Sequence, residues 1–182
     1  MKRPRFVVPL LMALAAVASA QPRVAETLKG ESWIAYRLVH PLHEIDAKSM
    51  SPDYKVELDP TTKEIKTVTA QVDVTTFDSG NSNRDSHAME VVDAITYPYV
   101  NFTSTAVVQK GDSLFVTGKL TFHGVTKDIT MAGTATWQPN RLDVNGAFDI
   151  GLTEFKIDRP SLLLIPVEDK LSFTLAAAFT WK

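Results

Sequence analysis

Asn81, Arg84, Asp85 and His87 stand together in one polar stretch and carry the side chains best equipped for chemistry. If the stretch is helical, the spacing of three puts Arg84 and His87 on the same side. Three readings follow. Arg84, Asp85 and His87 could serve as acid–base machinery in a hydrolase, although no Gly-x-Ser-x-Gly nucleophile motif lies beside them. Asn81, Arg84 and His87 could instead receive the polar end of an amphiphilic ligand, with His87 as a pH-sensitive latch. Or the cluster is structural, capping a helix and tying it down while Arg84 pairs with a carboxylate.

A second group invites a metal reading. His40, His43 and Glu44 lie close enough in sequence to contribute to a Zn²⁺ site if a further ligand joined them. The other histidines, His87 and His123, have no spacing that brings them there, and a pair beside Pro41 reads as a solvated loop. No metal site is therefore expected. Asn101-Phe102-Thr103 fits a glycan-acceptor pattern but falls within an expected strand and is read as chance.

The elements that must position these residues are strands. Alternation with period two dominates. Val68, Ala70, Val72 and Val74 share one face, as do Leu114, Val116, Gly118, Leu120 and Phe122. Ile129, Met131, Gly133, Ala135 and Trp137 form another such set, followed by Leu142, Val144, Gly146, Phe148, Ile150 and Leu152. The last runs Leu171, Phe173, Leu175, Ala177, Phe179 and Trp181. One apolar and one polar face per strand is the pattern of antiparallel sheet. Turn residues at 110–112, 123–126 and 138–140 have hairpin lengths. Earlier strands are expected at 32–39 and 53–59, with loop over 40–53. Seven or eight strands in a chain of this size favour a closed barrel, because closure removes exposed edges.

One stretch departs from the alternation. Ala88, Val91, Val92 and Ile95 fall at helical spacing, and Asp78, Ser79 and Asn81 precede them as capping candidates. A short helix is expected over about residues 82–94. The segment 153–169 is irregular, with Pro160 and Pro166 excluding a central strand.

The first twenty residues read differently. Lys2, Arg3 and Arg5 precede an apolar run from Phe6 to Val17, and Ala18-Ser19-Ala20 is small at the positions a signal peptidase reads. A cleaved signal peptide over 1–20 is expected, with export to the periplasm and a single domain over 21–182. The apolar run is too short to span a bilayer, so no stable membrane anchor is expected. The chain has no cysteine, which removes both disulfides and a lipoprotein anchor. Its net charge is −2, which argues against nucleic acid as a partner.

The ordered motifs bring a family into view. Gly80-Asn81-Ser82-Asn83-Arg84-Asp85-Ser86-His87 resembles the Gly-Asn-x-x-Arg-Asp-x-His signature of the YceI-like family. Tyr97-Pro98 followed by Phe102-Thr103-Ser104 is similar to its Tyr-Pro and Phe-x-Ser segment, and Gly118 through Lys127 is similar to its Gly-x-Leu-Thr-x-His-Gly-Val-Thr-Lys strand and turn. Phe155 to Ser161 resembles its Asn-Arg-x-Asp-Phe region with the order altered. The resemblance runs from about residue 32 to the end. It departs in the early strands, where Tyr36 to Glu44 replaces the family's usual His-Ser and Phe-x-Val-x-His pattern. It implies an exported, non-enzymatic, lipocalin-like barrel that holds a polyisoprenoid chain.

The expected fold is thus all-β, an antiparallel eight-stranded lipocalin-like barrel with one short helix. Apolar stripes alone read as a packed core, and a filled barrel serving stress response or protein interaction is the alternative. Small inward residues (Gly118, Gly133, Ala135, Gly146, Ala177, and Ser104 and Ala106 if Phe102 points inward) and the resemblance favour a cavity instead. The expected ligand is an isoprenoid or other amphiphilic lipid, a quinone among them, with no other cofactor. Its expected contacts are Phe102, Val116, Leu120, Phe122, Met131, Phe148 and Phe173 for the tail and Asn81, Arg84 and His87 for the head. A homodimer is compatible with the sequence and is not dictated by it.

Overall fold

The computed structural model describes residues 22–181. The expected signal peptide, 1–20, lies outside the described residues. Twelve strands are present: β1 (Arg23–Glu26), β2 (Trp33–His40), β3 (His43–Ser49), β4 (Asp53–Asp59), β5 (Glu64–Asp73), β6 (Tyr99–Lys110), β7 (Ser113–Phe122), β8 (Val125–Gln138), β9 (Arg141–Gly151), β10 (Ser161–Leu162), β11 (Ile165–Pro166) and β12 (Lys170–Thr180). One α-helix, α1 (Ser82–Val91), stands between β5 and β6.

Ten of the strands form one antiparallel sheet in the order β1-β4-β5-β6-β7-β8-β9-β12-β2-β3, and β10 and β11 form a separate hairpin. The expected count of eight is corrected to ten, for a simple reason. β1 and β2 are two pieces of one interrupted arm, and β3 and β4 are two pieces of the arm that returns along it. β2 pairs with β3 from Ile34↔Ser49 to His40↔His43, and β1 pairs with β4 from Arg23↔Leu58 to Glu26↔Lys55. Taken as arms, the sheet closes into a ring of eight. The closure is stitched by bridges between Thr27 and Phe179 and between Lys48 and Asp78, and by the Leu28 N–H donating to the Ala178 carbonyl at 2.8 Å.

β3 corrects the loop expected over 40–53. Its alternation is real but weak, with only Ile45 and Ala47 as apolar members. Pairing to β2 supplies what the pattern lacks, including ion pairs from Arg37 to Glu44 and Asp46. The connections at His123-Gly124 and Pro139-Asn140 are two residues long, tighter than the turn residues alone suggested. At the first of these His123 and Gly124 both adopt positive φ, as a type I′ hairpin demands.

β6 carries a register shift between Ser104 and Ala106. The extra residue of this bulge inverts the alternation beyond it. Val100, Phe102 and Ser104 are half-buried before the shift and Val107 and Gln109 after it, while Ala106 is exposed. The inward placement of Ala106 is therefore corrected.

Two clusters fill the barrel wall. Val56, Leu58, Leu114, Leu142 and Phe179 belong to the cluster at the β6–β7 and β8–β9 turns. Leu120, Phe122, Ile150, Phe155, Ile157 and Val167 belong to the other, at the end that carries α1 and the 152–169 connection. Helix α1 ends three residues before the expected boundary, Asp93 takes positive φ, and Ile95, expected on the apolar helix face, is 98% exposed.

Candidate binding site in the barrel interior

The barrel encloses a cavity of about 650 Å³. Its walls are almost wholly apolar, from the inward faces of β2 through β9 and β12. That volume lies in the range of natural ligand cavities, roughly 300–1,000 Å³. The structure places Phe102, Val116, Leu120, Phe122, Met131, Phe148 and Phe173 on its wall, and Asn81, Arg84 and His87 at its α1 end.

Small residues shape this interior differently from the sequence reading. A side chain at Gly118 would meet Phe102 and the β6 backbone, and one at Gly146 would meet the Met131 thioether. At Gly133 it would strike the backbone of Asn145. These glycines thus admit neighbouring side chains and close strand approach; they do not supply ligand volume. Phe102 folds over Gly118 and Met131 over Gly146, and the Phe148 and Phe173 rings stack at 4.9 Å with 13° between their planes.

Polar groups gather under α1. Asn81 caps the helix, its side-chain oxygen accepting from the N–H groups of Asn83 and Arg84, both at 3.1 Å. Arg84 and Asp85 converge on Ser79. The arginine donates to the Ser79 hydroxyl and carbonyl, each at 2.9 Å, and the Asp85 carboxylate accepts from the Ser79 N–H and hydroxyl. The aspartate is therefore engaged in holding the helix start, and His87 is exposed with its Nδ1 3.7 Å from Glu90. Arg84 and Asp85 thus share Ser79, while His87 pairs with Glu90 instead of either of them.

Tyr36 of β2 reaches the same end from below. Its ring lies 5.3 Å from Phe77 and 6.3 Å from Phe173. Burial raises its hydroxyl pKa, the Asp85 carboxylate raises it further, and the Arg84 guanidinium opposes both. The phenol therefore stays protonated and forms no hydrogen bond within the described chain, leaving a donor at the boundary between apolar wall and polar rim.

His40 and His43 also line this end. Both nitrogens of His40 are engaged: Nδ1 accepts from the Leu42 N–H at 3.1 Å and Nε2 lies 2.9 Å from the Ile165 carbonyl. Glu44 is paired with Arg37. The three residues do not converge on a common point, and the described residues hold no group of three or more His, Cys, Asp or Glu side chains suited to a metal ion.

Sequence reasoning missed several wall residues, among them Tyr36, Ile45, Tyr54 and Phe77, and the rim segment Pro160-Ser161-Leu162. Tyr36 was open to detection, since it shares the period-two face of Ile34, Leu38 and His40. The rim segment had no comparable signal, because it is placed by the His40 contact from a distant strand.

The model for the YceI-like domain matches residues 26–179. A UPF0312 protein of Vibrio vulnificus (strain YJ016) is 31% identical over 160 residues, covering 81% of this chain and 84% of the relative. A UPF0312 protein of Vibrio campbellii is 40% identical over 99 residues, and there the chain spans 52% of the relative's length. Among solved structures, Burkholderia cenocepacia BcnA superposes with a TM-score of 0.75 at 20% identity, covering 84% of this chain and 98% of that one. A polyisoprenoid-binding domain from Saccharophagus degradans superposes with a TM-score of 0.65 at 10% identity, covering 89% of this chain and all of that one. At these identities the structural matches establish the shared fold.

Proposed function

The chain belongs to the YceI-like domain family, and on that premise we propose that it is an exported carrier that holds one isoprenoid-type lipid, such as a prenyl quinone, inside the barrel. The observation that carries this reading is the 650 Å³ apolar cavity with its charged and amide side chains gathered at the α1 end. That polarity matches an amphiphile with its tail in the barrel and its head beneath α1. Each buried methylene contributes about 0.8 kcal/mol, so a five-carbon prenyl unit contributes roughly 3–4 kcal/mol before ordering costs are set against it. Phe102, Val116, Leu120, Phe122, Met131, Phe148 and Phe173 take the tail in this reading. Tyr36 and Arg84 donate to an oxygen of the head, with Asn81 and His87 at the outer rim.

The relatives support a binding role, since the Saccharophagus domain is described as polyisoprenoid-binding. The engagement of Arg84 and Asp85 by Ser79 supports binding over catalysis. Periplasmic residence rests on the basic, apolar and small-residue pattern of residues 1–20. Among the described residues no helix is long and apolar enough to cross a membrane. Incubation of delipidated protein with a dispersed prenyl quinone, followed by gel filtration and assay of the co-eluting quinone, tests the reading. One quinone per barrel is expected; none at saturating quinone overturns it.

A further inference from the structure

The β10–β11 hairpin breaks two local rules at once. Its two-residue turn is Leu163-Leu164, with φ of 52° and 66°. Those are the turn positions that favour Asn-Gly, because a β-carbon is disfavoured at positive φ. The same leucines are 77% and 96% exposed, flanked by Leu162 and Ile165 at 47% and 41%. Neither backbone preference nor burial selects leucine there, and a site that defies both signals a function outside the fold.

Its position supplies the function. The base of the hairpin, Pro160 to Leu162, lines the rim of the cavity. His40 holds the Ile165 carbonyl, and its other nitrogen accepts from the N–H of Leu42, which is itself 61% exposed. An apolar surface therefore continues from the cavity wall through Leu162 to the leucine tip, with Leu42 on the adjoining turn. From Pro160 to Val167 no residue carries a charge, so immersion of the tip in an interface removes no ion from water.

We propose that this hairpin is the docking tip by which the barrel seats on a lipid bilayer, entering the headgroup–acyl boundary so that a lipid tail passes between membrane and cavity without crossing water. The inference rests on the ligand reading above. The occupant is a zwitterionic bilayer, since the tip brings no cationic cluster for anionic headgroups. The attachment is peripheral and reversible, because four apolar side chains give far less anchoring than a spanning helix.

The decisive variant is Leu163→Asn combined with Leu164→Gly. It installs the residues the turn prefers, so Tm holds or rises and misfolding does not confuse the result. Co-flotation of the protein with phosphatidylcholine vesicles is expected to fall about tenfold or more, since two buried leucines exceed the 1.4 kcal/mol that a factor of ten represents. Transfer of a prenyl quinone from those vesicles into the barrel should slow in parallel. Uptake of dispersed quinone should be unchanged, which separates failure of docking from failure of the carrier reading. Equal flotation of variant and parent, or flotation of neither, overturns the proposal. So does a shift from dimer to monomer in the variant with vesicle association unchanged, which assigns the leucines to a second copy of the chain.

Discussion

His40 Nε2 lies 2.9 Å from the carbonyl oxygen of Ile165, joining residues 125 apart in sequence. Because Nδ1 accepts from the Leu42 N–H, the proton sits on Nε2 and the imidazole donates to Ile165. One ring thereby fixes both the β2–β3 turn and the β10–β11 hairpin at the cavity's rim. Its burial, at 2% exposure, makes the link expensive to break.

His40→Ala leaves the Ile165 carbonyl and the Leu42 N–H without their partner. The expected cost is about 1–3 kcal/mol, or roughly 2–4 °C of Tm per kcal/mol for a domain of this size. Hydrogen exchange should rise sharply in 161–166 and little in β7 to β9. Uniform exchange across the barrel would show that the ring stabilises the whole fold and does not latch the rim.

Ala70 faces the cavity from β5, opposite Phe102 in the ladder. Ala70→Phe projects a ring into the space assigned to the lipid tail. The expected outcome is loss of most prenyl-quinone uptake, with a destabilisation no greater than about 1–3 kcal/mol. Full uptake by a folded Ala70→Phe protein, measured by co-elution, would place the ligand elsewhere.

Asp169 ties the start of β12 to the turn at Thr153, accepting from its hydroxyl and its N–H. The Thr153 hydroxyl bond, followed by its N–H, holds the carboxyl below the ordinary carboxylate range, against the opposing effect of burial. A lowered folded value means a contribution that is complete above the unfolded carboxylate pKa and lost as pH falls through the folded one. Asp169→Asn should therefore lower Tm at neutral pH, and the gap to the parent should close on acidification. A gap that persists in acid would show that the bond is independent of charge.

The barrel was legible where burial is one-sided and strands are long. β7, β8, β9 and β12 place the anticipated faces inward because each apolar set is large enough to fix register. β3 was not legible, since Ile45 and Ala47 are too few to declare a strand without the partner that pairs with them. The bulge beside Thr105 left no mark in composition, and it turned Ala106 outward. At the candidate site, six of the apolar wall positions (Val116, Leu120, Phe122, Met131, Phe148 and Phe173) lie on faces that period two marks, whereas the pattern leaves the direction of Phe102 open. Tyr36 did not stand out because its value lies in what surrounds it, with Asp85 and Arg84 approaching from α1, some fifty residues along the chain. The rim hairpin was hidden for the same reason: the sequence marks 153–169 only as irregular, and it is a distant histidine that holds the hairpin at the rim.

The carrier reading is tested most directly by native mass spectrometry of the protein purified mildly from its own host, paired with the denatured mass and an organic extract. The expected result is a native mass exceeding the denatured mass by that of one prenyl lipid, and the same lipid in the extract. A native mass equal to the denatured mass, with no uptake when prenyl lipids are offered, would contradict the account and leave the cavity without its ligand.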